Sequence, residues 1–137
     1  TGDVTALSFA GGGHALSGDS QGTLCIWSCG EWALLHAIPG AHEGSVESIA
    51  VHPSNRAALS VDRDGVVALW DLTRGKKATE TKVSVRGLCR KVVWSPCGSR
   101  FAVVGEGGVV VVGARSSKEQ GRLETSVPVH DAQWLTS

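Results

Sequence analysis

Residues 46–75 read VESIAVHPSNRAALSVDRDGVVALWDLTRG, and the same pattern stands on either side of them. Residues 4–28 read VTALSFAGGGHALSGDSQGTLCIWS, and residues 91–117 read KVVWSPCGSRFAVVGEGGVVVVGARSS. A fourth copy opens at the end as VHDAQWLTS. The bulky residue closing the first apolar run of each copy gives one ruler: Phe9, Val51, Trp94 and Trp134 are 42, 43 and 40 residues apart. The glycine opening the third run gives a second: Gly22, Gly65 and Gly108 are 43 and 43 apart. Two independent rulers with one period mark an internal repeat.

Each unit predicts four strands. The first (Val4–Phe9, Val46–Val51, Lys91–Trp94) ends in a turn, twice containing proline at Pro53 and Pro96. The second covers His14–Ser17, Ala57–Val61 and Phe101–Val104, and the third Thr23–Trp27, Val66–Trp70 and Val109–Val112. The fourth is more polar: Trp32–Ile38, Ala78–Val83 and Leu123–Val127. The first three are apolar on both alternations, so both faces of each sheet need cover. Leucine-rich and ankyrin repeats are shorter and carry helices. Four strands per roughly 43 residues, with the dipeptide Trp70-Asp71, resemble the WD40 β-propeller. Trp27-Ser28 is a weakened copy of that dipeptide, and Gly113-Ala114 has lost it. The expected fold is therefore all-β: about three four-stranded blades of a seven-blade disc, an incomplete propeller. The blades fall at 1–39, 40–84 and 85–128, with the start of the next at 129–137. An isolated run of this kind leaves apolar faces open at both ends.

Composition agrees with a packed β domain. Hydrophobic residues make up 42% and charged residues 19%, and Val and Gly occur 18 times each. Apolar runs such as Val109–Val112 are far too short to span a membrane. The chain opens on Thr1 with no Met and no charged-then-apolar leader, which reads as a piece of a longer polypeptide without a signal peptide. Cys25, Cys29, Cys89 and Cys97 lack zinc-ribbon spacing and read as reduced thiols. The histidines show no ligand spacing, so no metal is expected. Gly105–Gly108 precedes a strand and not a helix, which excludes a phosphate cradle and leaves a strand turn. No cofactor site is expected.

The middle unit carries the polar residues that the WD40 resemblance implies are structural. His42, Ser60, Asp64 and Trp70 are expected to form a buried chain of hydrogen bonds: Asp to His and the turn backbone, His to Ser, Ser to Trp. A His/Ser/Asp set is also the composition of a hydrolase triad. No nucleophile elbow or oxyanion loop accompanies it, and Trp70 explains it as a lock on the fold. The first unit keeps Ser17 and Trp27 but places Gln21 where the acid is expected. The third has Gly105 and Gly108 and no His, Ser or Trp at these sites. No catalytic residue is expected, because the inner strands offer mainly Val, Ala, Ser, Leu and Ile.

A narrower resemblance runs through His14, Ser17 and Gly18, Leu24-Cys25-Ile26-Trp27, Trp32, Ala41-His42, His52-Pro53-Ser54, Ala58-Leu59-Ser60-Val61, Leu69-Trp70 and Val93-Trp94-Ser95-Pro96. These resemble the PAK-interacting-protein family, the MAK-type nucleolar WD40 proteins. The resemblance implies a non-enzymatic scaffold in large ribosomal subunit biogenesis, in the nucleus and nucleolus. Its implied partners are pre-ribosomal assembly factors, with contact to ribosomal RNA. It also implies the alternative of a negative regulator that binds a p21-activated protein kinase. A propeller enzyme is the weaker alternative, and a membrane partner is not expected.

The net charge is zero, with 13 Lys and Arg against 13 Asp and Glu, but the charges are not mixed. Residues 1–55 hold five acids and no Lys or Arg, whereas residues 56–100 hold ten Lys or Arg against four acids. In a four-stranded blade the first-to-second and third-to-fourth turns share one end of the disc. Arg56, Arg74, Lys76, Lys77, Arg100, Arg115 and Lys118 fall in or beside those turns, with Glu119 the chief acid, and are the candidate partner-binding residues. The opposite end is expected to collect Asp3, Asp19, Glu43, Asp62, Asp64 and Glu106 against Arg63 and Arg86.

Overall fold

Strands apolar on both faces are stable only between other layers, and the chain meets that need by stacking sheet on sheet. The computed structural model describes residues 3–85, 87–114 and, as backbone, 119–124. Sheet 1 holds β1 (Val4–Ala10), β2 (His14–Asp19), β3 (Leu24–Ser28) and β4 (Ala33–Ile38). Sheet 2 holds β5 (Val46–Val51), β6 (Ala57–Asp62), β7 (Val66–Asp71) and β8 (Lys76–Lys82). Sheet 3 holds β9 (Cys89–Trp94), β10 (Arg100–Gly105), β11 (Gly108–Gly113) and β12 (Glu119–Glu124). Each is an antiparallel meander in chain order. Among the described residues there is no helix and the sheets close no ring.

The first strands β1, β5 and β9 lie side by side as the inner edge of the stack. Strand β5 shows how period-2 alternation serves two seams. Ile49 and Val51 pack toward Leu16 and Ile26 of sheet 1. On the other side the Ser48 hydroxyl accepts from the Val92 N–H at 3.3 Å, and Ala50 O accepts from the Trp94 indole N–H at 3.0 Å. The second seam holds the larger core: Leu59, Val61 and Val67 meet Val92, Phe101, Val103, Val110 and Val112. Burial of each such side chain contributes roughly 1.5–3 kcal/mol. Sheet 3 therefore holds by packing, as its missing polar motif predicts.

Gly22 and Gly65 explain why the 43-residue ruler is glycine. Both adopt positive φ, 84° and 89°. A Cβ would stand 2.0 Å from His42 O at the first and 2.1 Å from Val83 O at the second. Each turn thus receives the chain entering the next sheet, through His42 N–H to Gly22 O (3.1 Å) and Val83 N–H to Gly65 O (2.8 Å).

Some boundaries differ from expectation. Trp32 precedes β4, in a turn at φ 53°, and β8 starts at Lys76 instead of Ala78. Strand β12 ends at Glu124, while residues 125–127 of the expected strand and the expected fourth unit with Trp134 lie outside the described residues. On the far face of sheet 1, Leu7 and Phe9 are 59% and 65% exposed. Their counterparts by the 42-residue spacing, Ile49 and Val51, are the residues that sheet 2 packs against sheet 1.

Candidate interaction surface and the relay beneath it

His42 lies in the segment that joins β4 to β5, and its imidazole reaches into sheet 2. Its Nε2 is 2.6 Å from Ser60 Oγ, and its Nδ1 is 3.2 Å from Asp62 Oδ2. The Trp70 indole N–H donates to Ser60 Oγ at 2.8 Å. Since the carboxylate can only accept, Nδ1 carries the proton, and Nε2 accepts from the Ser60 hydroxyl. Every donor in the chain from Trp70 to Asp62 then has one acceptor. Burial pushes the His42 pKa down, and the neighbouring Asp62 opposes that shift.

The acid of the relay is Asp62 and not the expected Asp64. Asp62 is buried on the last position of β6, whereas Asp64 is exposed in the turn. Asp62 Oδ1 also accepts the Asp64 N–H at 2.9 Å and the Val66 N–H at 3.1 Å, so one carboxylate holds both the histidine and the turn. Asp64 contributes only its backbone. The same correction applies to sheet 1. Asp19, not Gln21, takes the acid's place: its Oδ1 accepts the Gln21 N–H at 2.9 Å and the Thr23 N–H at 3.0 Å. The Trp27 indole donates to Ser17 Oγ at 3.0 Å, as Trp70 does to Ser60. The overlooked signal is the period itself, since Asp19 and Asp62 are 43 residues apart and each stands three before its turn glycine.

Ser60, His42 and Asp62 have the connectivity of a hydrolytic triad. Their exposures of 0%, 3% and 2% leave no approach for a substrate to the hydroxyl, which is already occupied by the Trp70 N–H. Among the described residues no three His, Cys, Asp or Glu side chains come together as metal ligands.

The basic candidates sort by partner. Arg56 precedes β6, and its carbonyl accepts the Leu72 N–H, while Lys76 pairs across from Asp71. Arg74 Nε is 3.7 Å from Asp71 Oδ2, so these residues ring one end of sheet 2. Arg100 opens β10 at the same end of sheet 3, where His52 Nε2–H donates to Gly98 O at 3.1 Å across the two turns. Lys77 Nζ binds Glu80 at 2.7 Å and lies 5.5 Å from the Trp70 ring centre. Arg56, Lys76 and Arg100 are exposed and make no ion pair among the described residues. Arg115 and Lys118 lie outside the described residues. At the opposite end, Asp19 and Asp62 are buried in turn networks and are not surface charges, contrary to expectation. Arg63 pairs with Glu47 and Arg90 with Glu106 there, while Arg86 is outside the described residues.

A feature the sequence reading passed over is Cys97, in the turn between β9 and β10. It is exposed, and hydrogen bonds from the Ser99 and Ser95 hydroxyls bring its thiol pKa down to about 7. Buried Cys89 goes the other way, to about 11, chiefly through desolvation.

Sheets of four antiparallel strands stacked by their first strands, with an Asp–His–Ser–Trp relay in the middle sheet, are the pattern of WD40 repeats. The WD40 family (WD domain, G-beta repeat) matches residues 32–71. The chain is similar to p21-activated protein kinase-interacting protein 1-like of Danio rerio, 40% identical over 103 residues, covering 75% of this chain and 27% of the relative. The sequence resemblance to the PAK-interacting family is thereby borne out. The chain is also similar to Ribosome biogenesis protein erb1 of Neurospora crassa, 33% identical over 79 residues, covering 56% of this chain and 10% of the relative. A crystal structure of RRP9 WD40 repeats shares the fold, with a TM-score of 0.84 at 16% identity over 92% of this chain and 40% of that one. The chain spans between 27% and 36% of the length of the first curated relatives it matches.

Proposed function

We propose that these repeats belong to a non-catalytic scaffold that docks pre-ribosomal assembly factors during large ribosomal subunit biogenesis, in the nucleolus. The observation that carries the reading is the cationic end of sheets 2 and 3. Arg56, Lys76 and Arg100 stand there without ion pairs among the described residues, on a chain whose net charge is zero. Exposed cations on one end of the stack suit a polyanionic partner, either ribosomal RNA phosphate or an acidic assembly factor. The similarity to erb1 supports the process. Burial of Ser60 and His42 supports a binding role over an enzymatic one.

A second reading is negative regulation of a p21-activated protein kinase, favoured by the name of the Danio rerio relative. One experiment separates the two. The full-length tagged protein is sedimented from nuclear extract and its depletion is followed by precursor ribosomal RNA analysis. Co-sedimentation with large-subunit precursors and accumulation of their RNA on depletion support the scaffold. Normal RNA maturation together with a rise in p21-activated kinase activity overturns it in favour of the regulator.

A further inference from the structure

The outer edge of sheet 1 departs from the design of sheet 2. Trp32 and Gly75 occupy matching turn positions, 43 residues apart, and both have left-handed backbone, φ 53° and 68°. Glycine takes that conformation without strain, whereas for an aromatic residue it is an outlier. Trp32 is moreover 75% exposed, so no packing in the described fold offsets its strain. Strained backbone of this kind clusters at ligand clamps and switch regions.

Strand β4, which Trp32 introduces, reads ALLHAI and carries no Asp, Glu, Lys or Arg. The matching strand β8 reads KKATETK, with Lys76, Lys77, Glu80 and Lys82. Each ends its sheet, so each presents unpaired backbone N–H and C=O groups among the described residues. Charged side chains are the usual protection of such an edge, and β8 has it while β4 lacks it. Leu34 and Leu35 are 49% and 45% exposed. Leu34 lies on the same face as Phe9, through the pairs Phe9–Ala15, Ala15–Trp27 and Trp27–Leu34, and its counterpart Lys77 keeps a 35% exposed side chain on a face that sheet 1 covers. Leu35 falls at the register shift between Ile26 and Trp27, which leaves it without a cross-strand partner on β3.

We infer that the edge formed by Trp32 and β4 takes up an extended apolar segment of a partner protein, flanked by Lys or Arg, as a fifth strand of sheet 1. The backbone of β4 supplies the ladder, and Trp32, Leu34 and Leu35 supply the anchors of the kind that dominate interfaces. Charge decides the flanks. Exposed Glu31 precedes the strand, exposed Glu43 follows it, and residues 1–55 contain no Lys or Arg. A symmetric second copy would set one acidic sheet against another, and the β8 edge of a second copy, KKATETK, lacks the large apolar side chains that Trp32, Leu34 and Leu35 would anchor.

The test uses the full-length protein and a display library of short linear peptides. Selection is expected to return alternating apolar peptides with Lys or Arg at their ends, and exchange of those ends to Glu is expected to weaken binding. Trp32→Gly restores the residue that sheet 2 uses, and Leu34→Lys restores the edge charge; each is expected to leave the melting temperature unchanged or higher. Each is also expected to weaken the selected peptides by about tenfold or more, and bound peptide should slow amide exchange along β4. Equal binding by both variants, or no selected peptide, overturns the proposal. Concentration-dependent dimerisation that both substitutions abolish also overturns it, by making a second copy the occupant.

Discussion

The His42 imidazole meets the Ser60 hydroxyl at 2.6 Å across the seam between sheets 1 and 2. The same residue holds Gly22 through its backbone N–H, so one histidine fastens the turn of one sheet to the buried polar chain of the next.

Two neighbouring acids test that arrangement. Asp62→Ala strands the His42 Nδ1–H and two turn N–H groups, and is expected to cost roughly 1–3 kcal/mol. Asp64→Ala removes an exposed carboxylate whose backbone alone is used, and is expected to change stability by less than about 0.5 kcal/mol. Denaturant midpoints of the two variants check this; equal losses would contradict the relay.

What the sequence made legible, and what it did not, follows from the same region. The 43-residue glycine spacing revealed the strands because Gly22 and Gly65 are held by sterics, with a carbonyl about 2 Å from where a Cβ would be. His42, Ser60 and Trp70 were legible through the WD40 pattern they match, and the structure buries all three. The acid is hard to pick because Asp62, the last residue of β6, and Asp64, in the turn after it, flank one another, and adjacency to Gly65 is a weaker cue than the position three residues before it. Trp32 was read as a strand residue because an aromatic before ALLHAI continues an apolar run, and nothing local announces positive φ. The ion pairs Arg74–Asp71 and Lys77–Glu80 thin the basic end in a way that charge counting alone does not show.

Acid is expected to loosen the first seam. His42 is held neutral, with its folded pKa below the ordinary histidine value of 6.5. The unfolded chain therefore binds a proton that the folded chain refuses. The stability is present above 6.5 and is lost as pH falls toward the folded value. Amide exchange around Ser60 and Gly22 should accelerate over that interval, and a His42→Gln variant should lose the dependence. A seam that tightens on acidification would contradict the neutral assignment.

Thiol chemistry should be selective. At neutral pH about half of Cys97 is thiolate, given a pKa near 7, whereas Cys89 near 11 is closed to reagents. Brief alkylation with iodoacetamide is expected to modify Cys97 well before Cys89. Ser99→Ala removes the leading hydrogen bond and should slow it. Mass spectrometry of the digested protein reads both results, and equal labelling of the two cysteines would be the adverse one.

The 137-residue chain alone is expected to bind hydrophobic dyes through the face that carries Leu7 and Phe9. Leu7→Thr with Phe9→Ser should reduce the dye signal while leaving the second-seam core intact. Dye binding that is unaffected by the pair would assign it to another surface.

The most direct measurement is of the cationic end. Arg56, Lys76 and Arg100 are reversed to Glu together in the full-length protein, and its association with isolated large-subunit precursor particles is titrated against salt. The account predicts weaker binding and a salt slope that falls by about 0.7–0.9 for each phosphate contact removed. Unchanged affinity with an unchanged slope would contradict it.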